Sequence, residues 1–404
     1  MTKTCIDHLA ILGGKAEFDQ PLHVGRPNLG SRDQLFARLA ELLERKWLTN
    51  NGPLVQEFEQ RLAARIGVKH CVAVCNGTAA LEIGARALGL AGEVIVPAFT
   101  FVATPHALTW QGLTPRFCDV DPRTHCLSAG MVEAHVGERT SGIVGVHLWG
   151  RPCDVDALQD LARRRRLKLL FDASHAFACT HGGRCIGGFG DAEVFSFHAT
   201  KVLNSGEGGA VATNDDALAQ RLRLLRNFGF AGYDTVVHLG INGKMSELAA
   251  ALGLTNLESL DAFVAANRRN FEAYRAGLAG LPGITLIAHD QRERHNYQYV
   301  VVEVDAAKAG IDRDLLVDVL WKENVLARRY FYPGCHRMEP YRSLDPAAAQ
   351  SLPVTDRLAE RVLVLPTGTD LDVDDVGRVC SLIALVLGHG SALRARLGPR
   401  ADDL

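Results

Sequence analysis

Short apolar segments alternate with amphipathic segments from residue 70 to residue 214, and this alternation is the strongest constraint on the fold. It is typical of a mainly parallel sheet that helices cover on both faces. Helices are predicted at Ala79–Leu88, Thr104–Gln111, Ala129–Val136 and Val155–Arg166. The seven predicted strands are Cys71–Cys75, Glu93–Ala98, Thr114–Val120, Gly142–Leu148, Lys168–Phe171, Ala192–Phe197 and Gly209–Thr213.

The pattern changes on both sides of this region. Arg32–Arg45 and Val55–Ile66 have the apolar spacing of amphipathic helices, and Ser246–Leu278 predicts one long helical stretch. Strands and helices then mix over a shorter length, which is typical of an α+β unit. We therefore expect a large α/β domain over residues 1–265 and a smaller α+β domain over residues 266–404. The elements predicted in the smaller domain are strands from Tyr297 and Val362 and helices at Arg313–Glu323 and Val373–Leu387.

Charge and composition exclude several classes of partner. The 404 residues carry 44 Lys and Arg against 46 Asp and Glu, so no basic field exists to hold nucleic acid or an anionic membrane. The apolar run at Val379–Leu387 is shorter than the ~20 residues that a membrane helix needs, and no secretory signal is visible at the start. Ten scattered cysteines show no zinc spacing. We expect a cytoplasmic protein with reduced thiols and no metal site.

Polar residues follow three of the predicted strands, where ligands bind in parallel sheets. Asn76-Gly77-Thr78 opens a helix whose free N–H groups suit a phosphate, although a simple N-cap is the alternative. Asp172 ends an apolar strand and must find a cation or several donors, as a ligand contact or as a helix cap.

Lys201 is the one of nine lysines that follows an interior strand and precedes a glycine-rich turn. A partly desolvated lysine is a nucleophilic amine, whereas an exposed loop lysine is the alternative. A phosphate cradle, a carboxylate and an amine are together the groups that bind pyridoxal phosphate (PLP), through its phosphate, its pyridine nitrogen and its aldehyde carbon. Phe101 follows the second strand and could lie on the ring face, or it is a core phenylalanine.

At these residues the sequence resembles the sugar aminotransferases of the DegT/StrS type, a family of PLP enzymes of fold type I. One departure is Asn227-Phe-Gly, where the family commonly has His-Gly. The matching blocks follow the family's order over roughly residues 30–380: Asn76–Leu81, Pro97–Thr104, Asp119–Asp121, His147–Gly150, Phe171–Ala176, Phe195–Lys201, Gly206–Val211, Gly240–Glu247, Arg329–Pro333 and Leu363–Pro366.

The resemblance implies a role for each matching residue. Lys201 is the Schiff-base lysine, Asp172 pairs with the pyridine nitrogen, and His175 sits near the ring hydroxyl. Phe101 takes the ring-stacking position. The family is dimeric, with each site built at the subunit interface. The implied phosphate contacts are Gly77, Thr78, Ala79 and Ser196, joined by Asn242 of the partner subunit.

Within the family, the chain looks like the nucleotide-sugar 4-aminotransferases that act on dTDP-4-keto-6-deoxyglucose in making natural-product glycosides or surface polysaccharides. Glutamate is the expected amino donor, with pyridoxamine phosphate carrying the amine between two stages. Tyr330, Tyr332 and His336 are candidate substrate contacts, or they pack the two domains together. A 3-keto sugar or a keto-cyclitol is an alternative acceptor. A dehydratase of this scaffold carries histidine at the position of Lys201, and a non-catalytic scaffold is expected to lose Lys201 or Asp172.

Overall fold

The structure is a computed structural model that describes residues 3–348 and 352–398, so the ends of both predicted domains and residues 349–351 lie outside the described residues. Its strands are β1 (Leu22–His23), β2 (His70–Val74), β3 (Glu93–Pro97), β4 (Thr114–Cys118), β5 (Thr140–Val146), β6 (Lys168–Asp172), β7 (Thr180–His181), β8 (Arg184–Cys185), β9 (Ala192–Ser196), β10 (Gly209–Thr213), β11 (Ile284–Leu286), β12 (Val300–Val304), β13 (Val325–Leu326) and β14 (Val362–Leu365).

The α-helices follow the amphipathic segments. They are α1 (Arg32–Arg45), α2 (Pro53–Ile66), α3 (Gly77–Ala87), α4 (Ala103–Thr109), α5 (Ala129–Glu133), α6 (Val155–Arg165), α7 (Asp216–Leu225), α8 (Glu247–Glu258), α9 (Leu260–Gly277), α10 (Ala306–Ala309), α11 (Arg313–Lys322), α12 (Tyr341–Leu344), α13 (Pro353–Arg361), α14 (Val373–Gly388) and α15 (Gly390–Leu397).

The large sheet has seven strands in the order β2-β10-β9-β6-β5-β3-β4. Only β10 runs antiparallel to its neighbours, which confirms the predicted mainly parallel sheet. Successive residues of a strand face opposite sides of a sheet. Ile95 accordingly packs in the core cluster on one face, with α2 and α6, whereas Val94 and Val96 pack in the cluster on the other face, with α3 and α7. Both faces are covered, so most residues of the inner strands are buried and apolar.

A second sheet, antiparallel and ordered β11-β12-β14, packs with α9, α11 and α14 around a separate apolar cluster. The start of the chain also packs in this cluster, through Ile6, Leu9 and Phe18, and β1 pairs with β13. The N-terminal segment therefore contacts the smaller unit in space. The predicted boundary at residue 265 falls inside α9 and stays a prediction.

The predicted helix Ser246–Leu278 is two helices, α8 and α9, which meet at Ser259 with a bend of 60°. The bend has a packing reason, because the two helices serve different cores. Leu254 of α8 packs in the cluster of the large sheet, whereas Phe271 and Tyr274 of α9 pack in the cluster of the small sheet. Sequence periodicity reports only that both segments are helical.

No single helix within residues 3–348 and 352–398 has the length and apolar character to cross a bilayer. Two bent pairs, α8 with α9 and α14 with α15, meet those criteria only when the two members of a pair are joined.

Candidate active site

The carboxyl ends of β6 and β9 and the start of α3 surround one cavity of about 580 Å³. Asp172 is the last residue of β6, and Ser196 is the last residue of β9. Gly77 begins α3 directly after β2. Because neighbouring strands end at the same edge of the sheet, residues that are far apart in sequence meet here. Lys201, from the loop after β9, lines the same cavity.

The Lys201 amine is the nucleophile of the cavity. Its Nζ donates to the Tyr299 hydroxyl at 3.3 Å and lies 5.9 Å from the centre of the Tyr299 ring. Burial disfavours the charged ammonium and lowers the pKa of Lys201 from 10.5 to about 8, against the opposing effect of Asp172. Burial also raises the pKa of the Tyr299 phenol, so that group stays protonated. A useful fraction of the Lys201 amine is therefore neutral near pH 7.

Asp172 is 6% exposed and is held from both sides. The Thr104 hydroxyl donates to Oδ2 at 2.9 Å, and the Ser174 backbone N–H donates to Oδ1 at 3.0 Å. Each oxygen keeps a lone pair for another donor. Since Ser174 acts through its backbone, an alanine at this position would supply the same bond.

His175 is buried, and its ring orientation is fixed. The Trp149 backbone N–H donates to His175 Nδ1 at 3.4 Å, so the neutral ring carries its proton on Nε2. Burial, with a smaller effect of Lys201, holds the pKa of His175 well below its ordinary value. The ring is neutral at pH 7 and lies 4.4 Å from the Tyr299 ring, centre to centre.

The start of α3 combines an N-cap with free donors. Asn76 Oδ1 accepts from the Ala79 N–H at 2.8 Å, so the predicted phosphate contact at Ala79 is already used within the cap. The N–H groups of Gly77 and Thr78 have no partner inside the helix, and both residues line the cavity. A side chain at Gly77 would place its Cβ 2.9 Å from Ser196 Cβ. Glycine is therefore required for the helix start to approach β9 this closely.

Of the three predicted substrate contacts, the structure places one at the cavity and two outside its lining. Tyr330 lines the cavity. Tyr332 points elsewhere and packs near the guanidinium groups of Arg313 and Arg329. His336 is buried away from the cavity, where its Nε2 lies 3.0 Å from Asp356 Oδ1. His336 thus packs against α13, whereas Tyr332 is 46% exposed. A substrate contact by either residue stays a prediction.

Phe101 and Asn242 differ in their position relative to the cavity of the single chain. Phe101 lines the cavity but is 56% exposed, with its ring centre 6.4 Å from that of Phe331. Asn242 does not line the cavity of its own chain, and its Oδ1 accepts from Lys244 Nζ at 2.6 Å. Its contact with the phosphate of a partner subunit's site stays a prediction.

Among the site residues that the sequence prediction missed, three bear directly on the chemistry. Thr104 lies behind the cavity and binds Asp172, whereas Tyr299 and Arg328 line the cavity. Tyr299 binds Lys201, and the Arg328 guanidinium lies 5.3 Å from the centre of the Tyr330 ring. Thr104 is the last residue of a block that resembles the family, so its signal was present. Tyr299 stands beside a strand of the other domain, and nothing in the sequence spacing connects it with Lys201.

Comparison with known proteins agrees with this geometry. Residues 31–384 match the DegT/DnrJ/EryC1/StrS aminotransferase family. The chain belongs to this family. It is 35% identical over 368 residues to dTDP-4-amino-4,6-dideoxy-D-glucose transaminase of Escherichia coli, covering 90% of this chain and 98% of the relative. GDP-perosamine synthase of Caulobacter vibrioides is 34% identical, with 91% and 98% covered.

A solved structure described as DesI in the presence of its TDP-sugar product superposes with a TM-score of 0.93. It is 53% identical, with 97% of this chain and 100% of that chain covered. These comparisons confirm the predicted membership of the family and the predicted α/β fold.

Members of this family are PLP-dependent, and the described residues fit that cofactor. The N–H groups at the start of α3 suit its phosphate, and Asp172 can accept from a protonated ring nitrogen. His175 Nε2–H is a donor for the ring oxygen, and the Lys201 amine can attack the aldehyde carbon.

Proposed function

We propose that the chain is a PLP-dependent aminotransferase that moves an amino group from an amino acid, L-glutamate, to a keto nucleotide sugar. The proposed acceptor is dTDP-4-keto-6-deoxyglucose, which gives the 4-amino-4,6-dideoxy sugar. One observation carries the proposal: a buried amine of lowered pKa, a doubly held carboxylate and a helix N-terminus line one cavity.

Bound PLP would withdraw electrons from the carbon that bears the transferred amine and so make its hydrogen acidic. Asp172 would hold the ring nitrogen of bound PLP in its protonated form, because the two bonds from Thr104 and Ser174 fix its oxygens as acceptors for that N–H. Lys201 Nζ removes the proton from the glutamate α-carbon in the first stage and delivers a proton to sugar C4 in the second. A pKa of about 8 suits both duties, since the amine is neither fully charged nor a strong base at neutral pH.

The site must accept two anionic substrates in turn, glutamate with its carboxylates and the sugar with its diphosphate. Arg328 lines the cavity and supplies a cationic guanidinium there. We assign to Arg328 the binding of these anionic groups, next to the Tyr330 ring. Two relatives favour a 4-keto, dTDP-linked acceptor over a 3-keto sugar or a keto-cyclitol: the Escherichia coli relative is named for a dTDP-4-amino sugar, and the DesI structure is described with a TDP-sugar product.

We also propose a homodimer that works in the cytoplasm, in deoxysugar synthesis for antibiotic or other glycosides. The exposed hairpin that contains Asn242 supports the dimer, because it carries apolar side chains that a single chain leaves in solvent. Trp110, nearby, is 86% exposed. The apolar residues of the hairpin are Phe228, Phe230, Tyr233, Val236, Val237, Leu239 and Ile241.

The test incubates the protein with PLP, glutamate and a panel of 3-keto and 4-keto nucleotide sugars, and locates the new amine by NMR. We expect an amine at C4 of the dTDP sugar. Lys201→Ala should form no amine, whereas Lys168→Ala, at an exposed lysine of β6, should behave like the wild type. Amination at C3, of a cyclitol alone, or by Lys201→Ala would contradict the proposal.

A further inference from the structure

Trp149 is the central ring of the aromatic wall behind the cavity, although it does not itself line the cavity. Its indole stacks on Phe331 at 5.2 Å and on His175 at 5.9 Å between ring centres. It meets Tyr299 edge-on at 5.5 Å and is stacked near Tyr330 at 6.5 Å. All four partners line the cavity. The position of this one indole therefore sets the position of four cavity side chains.

The indole is itself held by a chain of two hydrogen bonds. Trp149 Nε1–H donates to His125 Nδ1 at 3.2 Å, and His125 Nε2 lies 3.1 Å from Glu303 Oε1. Since Nδ1 accepts, the neutral His125 ring carries its proton on Nε2 and donates it to the carboxylate. His125 is fully buried, and Trp149 is 1% exposed. Each of the two N–H donors in this series of hydrogen bonds has an acceptor at bonding distance.

The chain of bonds connects the two parts of the fold. Glu303 lies on β12 of the small sheet, and Tyr299 stands one residue before the same strand. His125 and Trp149 belong to loops of the large domain that follow β4 and β5. Both residues have left-handed backbone angles, φ 61°, which cost free energy for non-glycine residues. The two left-handed positions are the two residues that the indole–imidazole hydrogen bond joins.

We propose that Glu303 and His125 are positioning residues that act through Trp149 to fix His175 and Tyr299 beside the Lys201 amine. The small domain thereby sets the geometry of groups that the large domain supplies. The catalytic part of this inference rests on the proposed function, whereas the hydrogen-bond chain does not.

Replacement of His125 offers a matched pair of variants. His125→Gln keeps one acceptor and one donor, whereas His125→Leu keeps comparable volume and neither. Both variants meet the same left-handed backbone, so the strain cancels in the comparison. Glu303→Leu is the second route, since the Glu303 side chain is 22% exposed and its loss is less disruptive to the core.

The first readout is the NMR spectrum of the indole N–H groups in protein labelled with ¹⁵N-tryptophan. The protein has four tryptophans, and the Trp149→Phe variant identifies the signal of Trp149. We expect a protected Trp149 signal that His125→Leu shifts and exposes to exchange and that His125→Gln preserves. The second readout is the glutamate stage followed by the absorbance of bound PLP. In this assay His125→Leu should lower the maximal rate roughly 10- to 100-fold, because a small displacement of the side chains around the Lys201 amine slows the reaction by about this factor. The affinity for glutamate should stay within about twofold of the wild-type value.

An unchanged Trp149 signal in both His125→Leu and Glu303→Leu would overturn the bond chain. A changed signal with an unchanged maximal rate would overturn the positioning role. A wild-type protein that transfers no amine would contradict the proposed function, while the indole spectrum would still decide the bond chain.

Discussion

The Lys201 amine should react with PLP at a rate that follows its lowered pKa. With a pKa of about 8, roughly 9% of the amine is neutral at pH 7, against about 0.03% for an ordinary lysine of pKa 10.5. Burial thus raises the reactive fraction about 300-fold at this pH. About half of the amine is neutral at pH 8 and roughly nine-tenths at pH 9, so the gain from a further rise in pH is small. The rate of PLP capture should therefore climb close to tenfold per pH unit below pH 7, more slowly through pH 8, and level off above pH 9.

The assay mixes cofactor-free protein with PLP in a stopped-flow instrument and records the visible absorbance of the lysine-bound cofactor from pH 6 to pH 10. Lys201→Ala corrects for reaction at surface lysines. Asp172 opposes the lowering of the Lys201 pKa. Asp172→Asn should therefore move the levelling point to lower pH, even though it weakens cofactor binding. A rate that still climbs about eightfold between pH 9 and pH 10 would refute the reasoning, because the amine would then titrate as an exposed lysine of pKa 10.5.

Three further predictions concern single contacts. Thr104→Val removes the hydroxyl that donates to Asp172 and should weaken PLP affinity about tenfold in an absorbance titration, since a bond to a carboxylate contributes about 1.5 kcal/mol; unchanged affinity would remove Thr104 from the site. Asp119→Ala removes the carboxylate that accepts three bonds from the start of α13 and should lower the free energy of unfolding in urea by about 2 kcal/mol, whereas a loss within error would contradict the cap. Burial lowers the pKa of His289 from 6.5 to about 3, so the unfolded chain binds the extra proton first and stability is lost as pH falls below 6.5. Compared with His289→Phe, the wild type should lose about 2 kcal/mol more between pH 7 and pH 5, and parallel losses would contradict this.

Much of the large domain could be predicted because its signals are local. An apolar strand followed by a polar turn can be recognised within a short stretch of sequence. Asn76 and Lys201 follow such strands, and Asp172 comes directly after the predicted strand Lys168–Phe171. The rule that ligands bind beyond the carboxyl ends of parallel strands then brings these residues together. The structure places Asp172 and Lys201 in one cavity with Gly77, as that rule requires.

The remaining features depend on long-range packing, which residue spacing does not record. Tyr299 reaches Lys201 from a position 98 residues away. His336 resembled a substrate contact in a polar, aromatic segment, yet its neighbours bury it against Asp356. The bend at Ser259 likewise depends on two cores that attract the two halves of one helical stretch. In each case the deciding partner lies in another part of the chain.

The covalent bond between the cofactor and the chain is the most direct test of the central claim. Borohydride reduction of the protein with bound PLP, followed by proteolysis and mass spectrometry, identifies the modified lysine. We predict a pyridoxyl phosphate adduct on the peptide that contains Lys201, in near-stoichiometric yield. A stoichiometric adduct on another lysine would contradict the account, as would the absence of any pyridoxyl phosphate adduct after reduction in the presence of excess PLP.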